Sequence, residues 1–148
     1  MKSAWPLTQA SRLIFLLMIL VPGCTSAPSG PRLTIDGAQC SIDIEDRIPA
    51  KVTFTLDVKN QVEETRHGIV IVTLAQGKTL DDLQAIRTIP PLPEWATRVG
   101  FFSTSADGPS TYDSDIAANG NYHGEPVFIL CTTHPSVLAV AGPIEVTP

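Results

Sequence analysis

The chain has 148 residues and a formal net charge of −5, with 43% apolar residues, 13 prolines, three cysteines and three histidines. That length suits one domain with a real core. An acidic balance without a basic stripe excludes nucleic acid as an expected partner, and the acidity itself serves solubility.

The first residues read as a targeting signal rather than fold. Lys2 and Arg12 precede Leu13–Val21 (LIFLLMILV), an unbroken apolar run too short to span a bilayer as a mature helix. Cleavage after Ala27 would leave Pro28 at the cut, which signal peptidases generally reject. Val21-Pro22-Gly23-Cys24 instead resembles the bacterial lipobox, although Pro22 is not the usual occupant of its position. This resemblance implies a signal peptide over 1–23 and a lipidated Cys24. Several acyl chains on one cysteine anchor a protein stably. The expected partner is thus a membrane, either the cell membrane or an outer membrane, with the domain on the exported side. Thr25 stands where an aspartate commonly retains lipoproteins on an inner membrane, which favours the outer one where two exist. An ordinary cleavage site beside an incidental cysteine is the alternative.

Residues 24–31 are rich in Pro, Gly and Ser and read as a tether. The domain spans 32–148, beginning with a first strand over Leu33–Ile42. Val52, Phe54, Leu56 and Val58 alternate with Thr53, Thr55 and Asp57, so a strand over 52–58 has one buried and one wet face. His67–Leu74 is β-branched and apolar on both faces, as a central strand is. Thr79–Ile86 reads as a short helix: Thr79 caps it, Asp81 and Asp82 suit its dipole, and Leu80, Leu83 and Ile86 share a face. Pro90, Pro91 and Pro93 break the chain, and Val99–Phe102 starts another strand. Asp107-Gly108-Pro109 and Asn119-Gly120-Asn121 are turn signals. Val127–Thr132 is a compact apolar strand, and Ile144–Val146 closes the domain. Short strands, frequent turns and one minor helix predict an all-β antiparallel sandwich.

The chemistry concentrates on few residues. With Cys24 lipidated, Cys40 and Cys131 remain, and two thiols in an oxidising compartment form a natural disulfide. A type-1 copper centre offers a second reading. It needs two imidazoles and one thiolate in a trigonal arrangement, with a weak axial ligand. The thiolate and the second histidine come from one loop, and the first histidine from another strand. His67, Cys131 and His134 fit in type, order and spacing. The two readings exclude each other, because a sulfur bonded to Cys40 cannot ligate copper as a thiolate; two free thiols are the remaining alternative.

Ile48–Leu56 (IPAKVTFTL) followed by Arg66–Val72 (RHGIVIV) resembles the opening of cupredoxin-like domains. Leu74–Leu83 is similar to the insert helix of a bacterial cupredoxin-like subgroup, and the strand ending at Cys131 resembles the family's last ligand loop. The resemblance covers nearly all of 33–147. It implies a Greek-key sandwich with a copper site at one end, and an electron-transfer or copper-delivery role. Departures are plain. Residues 135–140 contain no methionine, and the only two methionines, Met1 and Met18, leave with the signal peptide. Gly124 is kept before the cysteine strand, but Val127 stands where an aromatic residue is usual.

Two functions follow: a disulfide-stapled binding or structural module of the envelope with a degenerate metal site, or a copper protein lacking an axial Met, serving a redox or envelope partner. No Ser/His/Asp order, phosphate loop or HExxH supports an enzyme. His123 reads as a solvated loop residue, Glu63-Glu64 as solvated, and Trp95 as a lid over the core. Asp113 and Asp115 lack a calcium-loop pattern.

Overall fold

The computed structural model describes residues 30–61 and 65–148. The expected signal peptide, Cys24, most of the tether and the Glu63-Glu64 pair lie outside them. Nine strands and one short helix follow in chain order: β1 (Arg32–Asp36), β2 (Gln39–Asp43), β3 (Arg47–Pro49), β4 (Lys51–Lys59), β5 (His67–Leu74), α1 (Leu80–Gln84), β6 (Ala96–Thr104), β7 (Gly108–Asp115), β8 (Val127–Thr133) and β9 (Ser136–Thr147). They form a four-stranded sheet, β2-β1-β4-β7, and a five-stranded sheet, β3-β9-β8-β5-β6. The all-β sandwich with one short helix is therefore as the sequence predicts. Its sheets are mixed rather than purely antiparallel, since β1 runs parallel to β4 and β3 parallel to β9.

Alternation in β4 puts Val52, Phe54, Leu56 and Val58 inward, where they meet Leu33 and Ile35 of β1. The five-stranded sheet contributes Ile69, Ile71, Val99, Ile129, Cys131 and Ile144 to the same core. Apolar residues on both faces of β5 and β8 have a separate cause. Their outer face, with Val70, Val72, Phe128 and Leu130, packs against Leu83 of α1 and Ile89 of the proline-rich segment. Trp95 is partly buried over this second cluster, with Lys78 Nζ 5.1 Å from its ring centroid.

The helix is one short turn longer in expectation than in fact. It starts at a capping box, where the Thr79 backbone N–H donates to Asp82 Oδ2 at 2.9 Å. Only Leu83 of its residues is buried.

The expected single strand over 33–42 is instead the hairpin β1–β2, in which Ile35 pairs with Cys40. Gly37-Ala38 makes the reversal, and Gly37 adopts φ 58°, open to glycine without strain. The closing strand is also longer than 144–146. β9 begins at Ser136 and passes through Gly142-Pro143 with a register irregularity against β8. The polar stretch Gly108–Asp115 forms β7, an edge strand beside β4.

Candidate functional site

Cys131 and Cys40 are joined by a disulfide between β8 and β2, with Cα atoms 6.5 Å apart and 91 positions between them in sequence. Turning the chain at Gly37-Ala38 is what brings β2, and with it Cys40, over the inner face of the five-stranded sheet. Cys131 is 0% exposed, and Cys40 packs partly buried against the same core.

The three residues expected as copper ligands are placed differently from one another. Pairing of Ile69 with Cys131 and of His67 with Thr133 puts His67 and Cys131 on the same inward face of neighbouring strands. His134 falls in the turn between β8 and β9, exposed, with its backbone N–H donating to Arg66 O at 2.8 Å. The Cys131 sulfur is occupied by its bond to Cys40, and among the described residues no three His, Cys, Asp or Glu side chains come together as a metal-binding group. The expected His67–Cys131–His134 cluster is not assembled. The reason is local: the Cys131 sulfur is spent on Cys40, and His134 lies past the end of β8 in an exposed turn rather than on the strand.

His67 is 3% exposed. Its Nδ1 lies 2.9 Å from Thr133 Oγ1, and its buried Nε2 has no hydrogen-bond partner among the described residues. Desolvation lowers its pKa from the ordinary 6.5, while the carboxylate of Asp107 pulls it back upward. The ring is thereby held towards its neutral form at neutral pH. His123 is an exposed loop residue whose backbone N–H donates to Glu125 Oε2 at 3.0 Å. Asp113 accepts from Thr53 Oγ1 at 2.6 Å, and Asp115 accepts from the Ala118 N–H at 3.1 Å. Both serve the β7 region locally.

A pocket of about 210 Å³ opens on the outer face of the five-stranded sheet. Gly68, Val70 and Thr132 form its floor, and Arg98, Phe101 and Ser103 of the edge strand β6 form one side. Ile89, Pro90 and Leu92 form the other, and Arg66, His67 and His134 also line the pocket, so two of the three expected copper ligands border one cavity. The proline-rich segment is held in place by backbone hydrogen bonds from Ile89 to Pro135 O and from Val137 to Arg87 O, each 2.8 Å. Gly68 is required where β5 approaches β6, because a Cβ there would stand 2.8 Å from Phe102 O. Phe101 is 49% exposed, and the Arg98 guanidinium lies 5.6 Å from its ring centroid.

Sequence reasoning singled out His134 and His67 but missed Arg66, Arg98, Phe101 and Ser103. The available signal was the alternation Arg98, then Phe101 and Ser103 after the bulge, on a strand read only from Val99 onward. No family model matches this chain, and no curated protein or solved structure matches it.

Proposed function

We propose that this chain is a membrane-tethered lipoprotein of the bacterial envelope whose exported, cupredoxin-like domain serves as a disulfide-stapled binding module. The observation that carries this reading is the bond between Cys40 and Cys131. It fits an oxidising compartment, in agreement with a signal peptide over 1–23 and an acylated Cys24. It also removes the one thiolate that a type-1 copper centre needs. What remains of that ligand set is a buried His67 bound to Thr133 and an exposed His134 in the turn after β8. The domain works by holding a partner rather than by carrying electrons or transforming a substrate.

The test is to purify the mature protein from cells without reductant and titrate it with Cu(II). No intense visible thiolate band is expected, and mass spectrometry is expected to find acyl chains on Cys24. A thiolate band in the protein as isolated would instead support the electron-transfer or copper-delivery reading with His67, Cys131 and His134. An unmodified Cys24 would remove the membrane anchor from the account.

A further inference from the structure

We infer that the outer-face pocket binds a small organic carboxylate with a compact apolar body. This rests on the binding-module reading and gives it a ligand class.

The first support is charge. The molecule is acidic overall, yet no Asp or Glu lines this pocket, whereas Arg66, Arg98 and His134 do. The ion pairs of the described residues join Arg47 to Glu145, Lys51 to Asp115, Lys59 to Asp57 and Lys78 to Asp82. Neither Arg66 nor Arg98 has a carboxylate partner among the described residues. Two guanidinium groups lining one cavity, with no carboxylate among its lining residues, attract an anion, and a guanidinium matches a carboxylate with two parallel hydrogen bonds.

The second support is the apolar half of the site. Val70, Ile89, Leu92 and Phe101 supply its walls and floor. Phe101 is the one large hydrophobic residue left exposed among the described residues. Its ring is also the platform on which Arg98 rests, so charge and apolar surface are presented together. Ser103 adds a hydroxyl at the rim. The Thr132 hydroxyl donates to Gly68 O at 3.2 Å, which leaves its oxygen as an acceptor towards the cavity floor.

The third support is size. A volume of about 210 Å³ lies below the roughly 300–1,000 Å³ of pockets that take drug-sized ligands. Nucleotides and whole lipids are too large for it. An acid of the dimensions of benzoate or 4-methylpentanoate fits, with the carboxylate on a lining guanidinium and the apolar body among Leu92, Ile89 and Phe101. Inorganic phosphate would leave those apolar walls unused.

The test uses the full chain purified with its disulfide intact. Benzoate and 4-methylpentanoate are titrated by calorimetry, beside benzyl alcohol and inorganic phosphate. The acids are expected to saturate one site, to weaken with added salt, and to bind at least tenfold more tightly than benzyl alcohol or phosphate. Arg98→Gln and Arg66→Gln are each expected to weaken the acids roughly tenfold. Phe101→Ala should weaken them as well, and Lys59→Gln should leave binding unchanged. These side chains are exposed, and melting curves of each variant check that the fold persists. Equal affinity for benzyl alcohol, equal affinity for phosphate, indifference to both arginine variants, or no binding of either acid would each overturn the assignment. The copper titration reads out separately: a thiolate band there contradicts the stapled-module reading, whereas failure of the acids to bind contradicts this pocket assignment alone.

Discussion

His67 Nδ1 and Thr133 Oγ1 lie 2.9 Å apart across β5 and β8, two residues along each strand from the rung that pairs Ile69 with Cys131. The imidazole that an exported copper domain would turn on a metal is here engaged with a hydroxyl inside the sandwich. Its other nitrogen is buried with no partner among the described residues. Burial makes the charged form costly, so the folded-state pKa lies below the 6.5 of the unfolded chain. As pH falls through 6.5 the unfolded chain takes up the proton first. Stability contributed by neutral His67 is therefore complete above pH 6.5 and declines as the pH drops towards the folded-state pKa. The decline is at most about 1.4 kcal/mol per pH unit. Denaturant unfolding across this range checks it. His67→Gln should remove this component, and Asp107→Asn, which removes the charge pulling the pKa upward, should deepen it.

Reduction should cost more than any exposed substitution. The disulfide closes a loop across 91 positions, for which the chain-entropy account gives about 4–5 kcal/mol. Cys40→Ser is expected to lower the denaturation midpoint by a comparable amount, and the wild-type chain with reductant should behave in the same way. Coincident midpoints with and without reductant would contradict a structural role for the bond.

Gly68→Ala separates a packing requirement from mere flexibility. The new methyl would stand 2.8 Å from Phe102 O and 3.1 Å from Thr132 Oγ1, so β5 and β6 must move apart. A destabilisation of about 1–3 kcal/mol is expected. Gly120→Ala faces open space and should be close to neutral in the same unfolding assay.

Leu83 is the anchor of α1, 0% exposed within the outer cluster with Val70, Val72 and Leu130. Leu83→Ala should cost about 2–5 kcal/mol in global unfolding. Hydrogen exchange should then rise first over α1 and the segment that carries Ile89, since that segment shares the same cluster.

Much of the scaffold is legible in the residues, because its strands obey simple periodicities. Alternation marks β4, the doubly apolar run marks β5, and the run from Val127 marks β8. The doubly apolar pattern had two possible origins, and only the structure shows that α1 and Ile89 cover the second face. The division of 33–42 into β1 and β2 was written in Gly37-Ala38, a two-residue loop led by glycine inside a run that otherwise reads as one strand. β7 was hidden because its residues are polar on an edge, and the early part of β9 because Gly142-Pro143 breaks a strand pattern. For the site, Cys131 and His134 are close in sequence, yet one is buried and bonded to Cys40 and the other sits in an exposed turn. Arg66 and Arg98 are remote in sequence and border one cavity only because β6 pairs with β5. Spacing along the chain favoured the former group, and sheet register assembles the latter.

The state of Cys131 in the protein as the cell makes it tests the account most directly. Chain isolated from cells under non-reducing conditions is alkylated, digested and analysed by mass spectrometry. The account predicts one cross-linked peptide pair containing Cys40 and Cys131, with no alkylation at either sulfur. Alkylation of both cysteines before any reductant is added would contradict it and return Cys131 to His67 as a free thiolate.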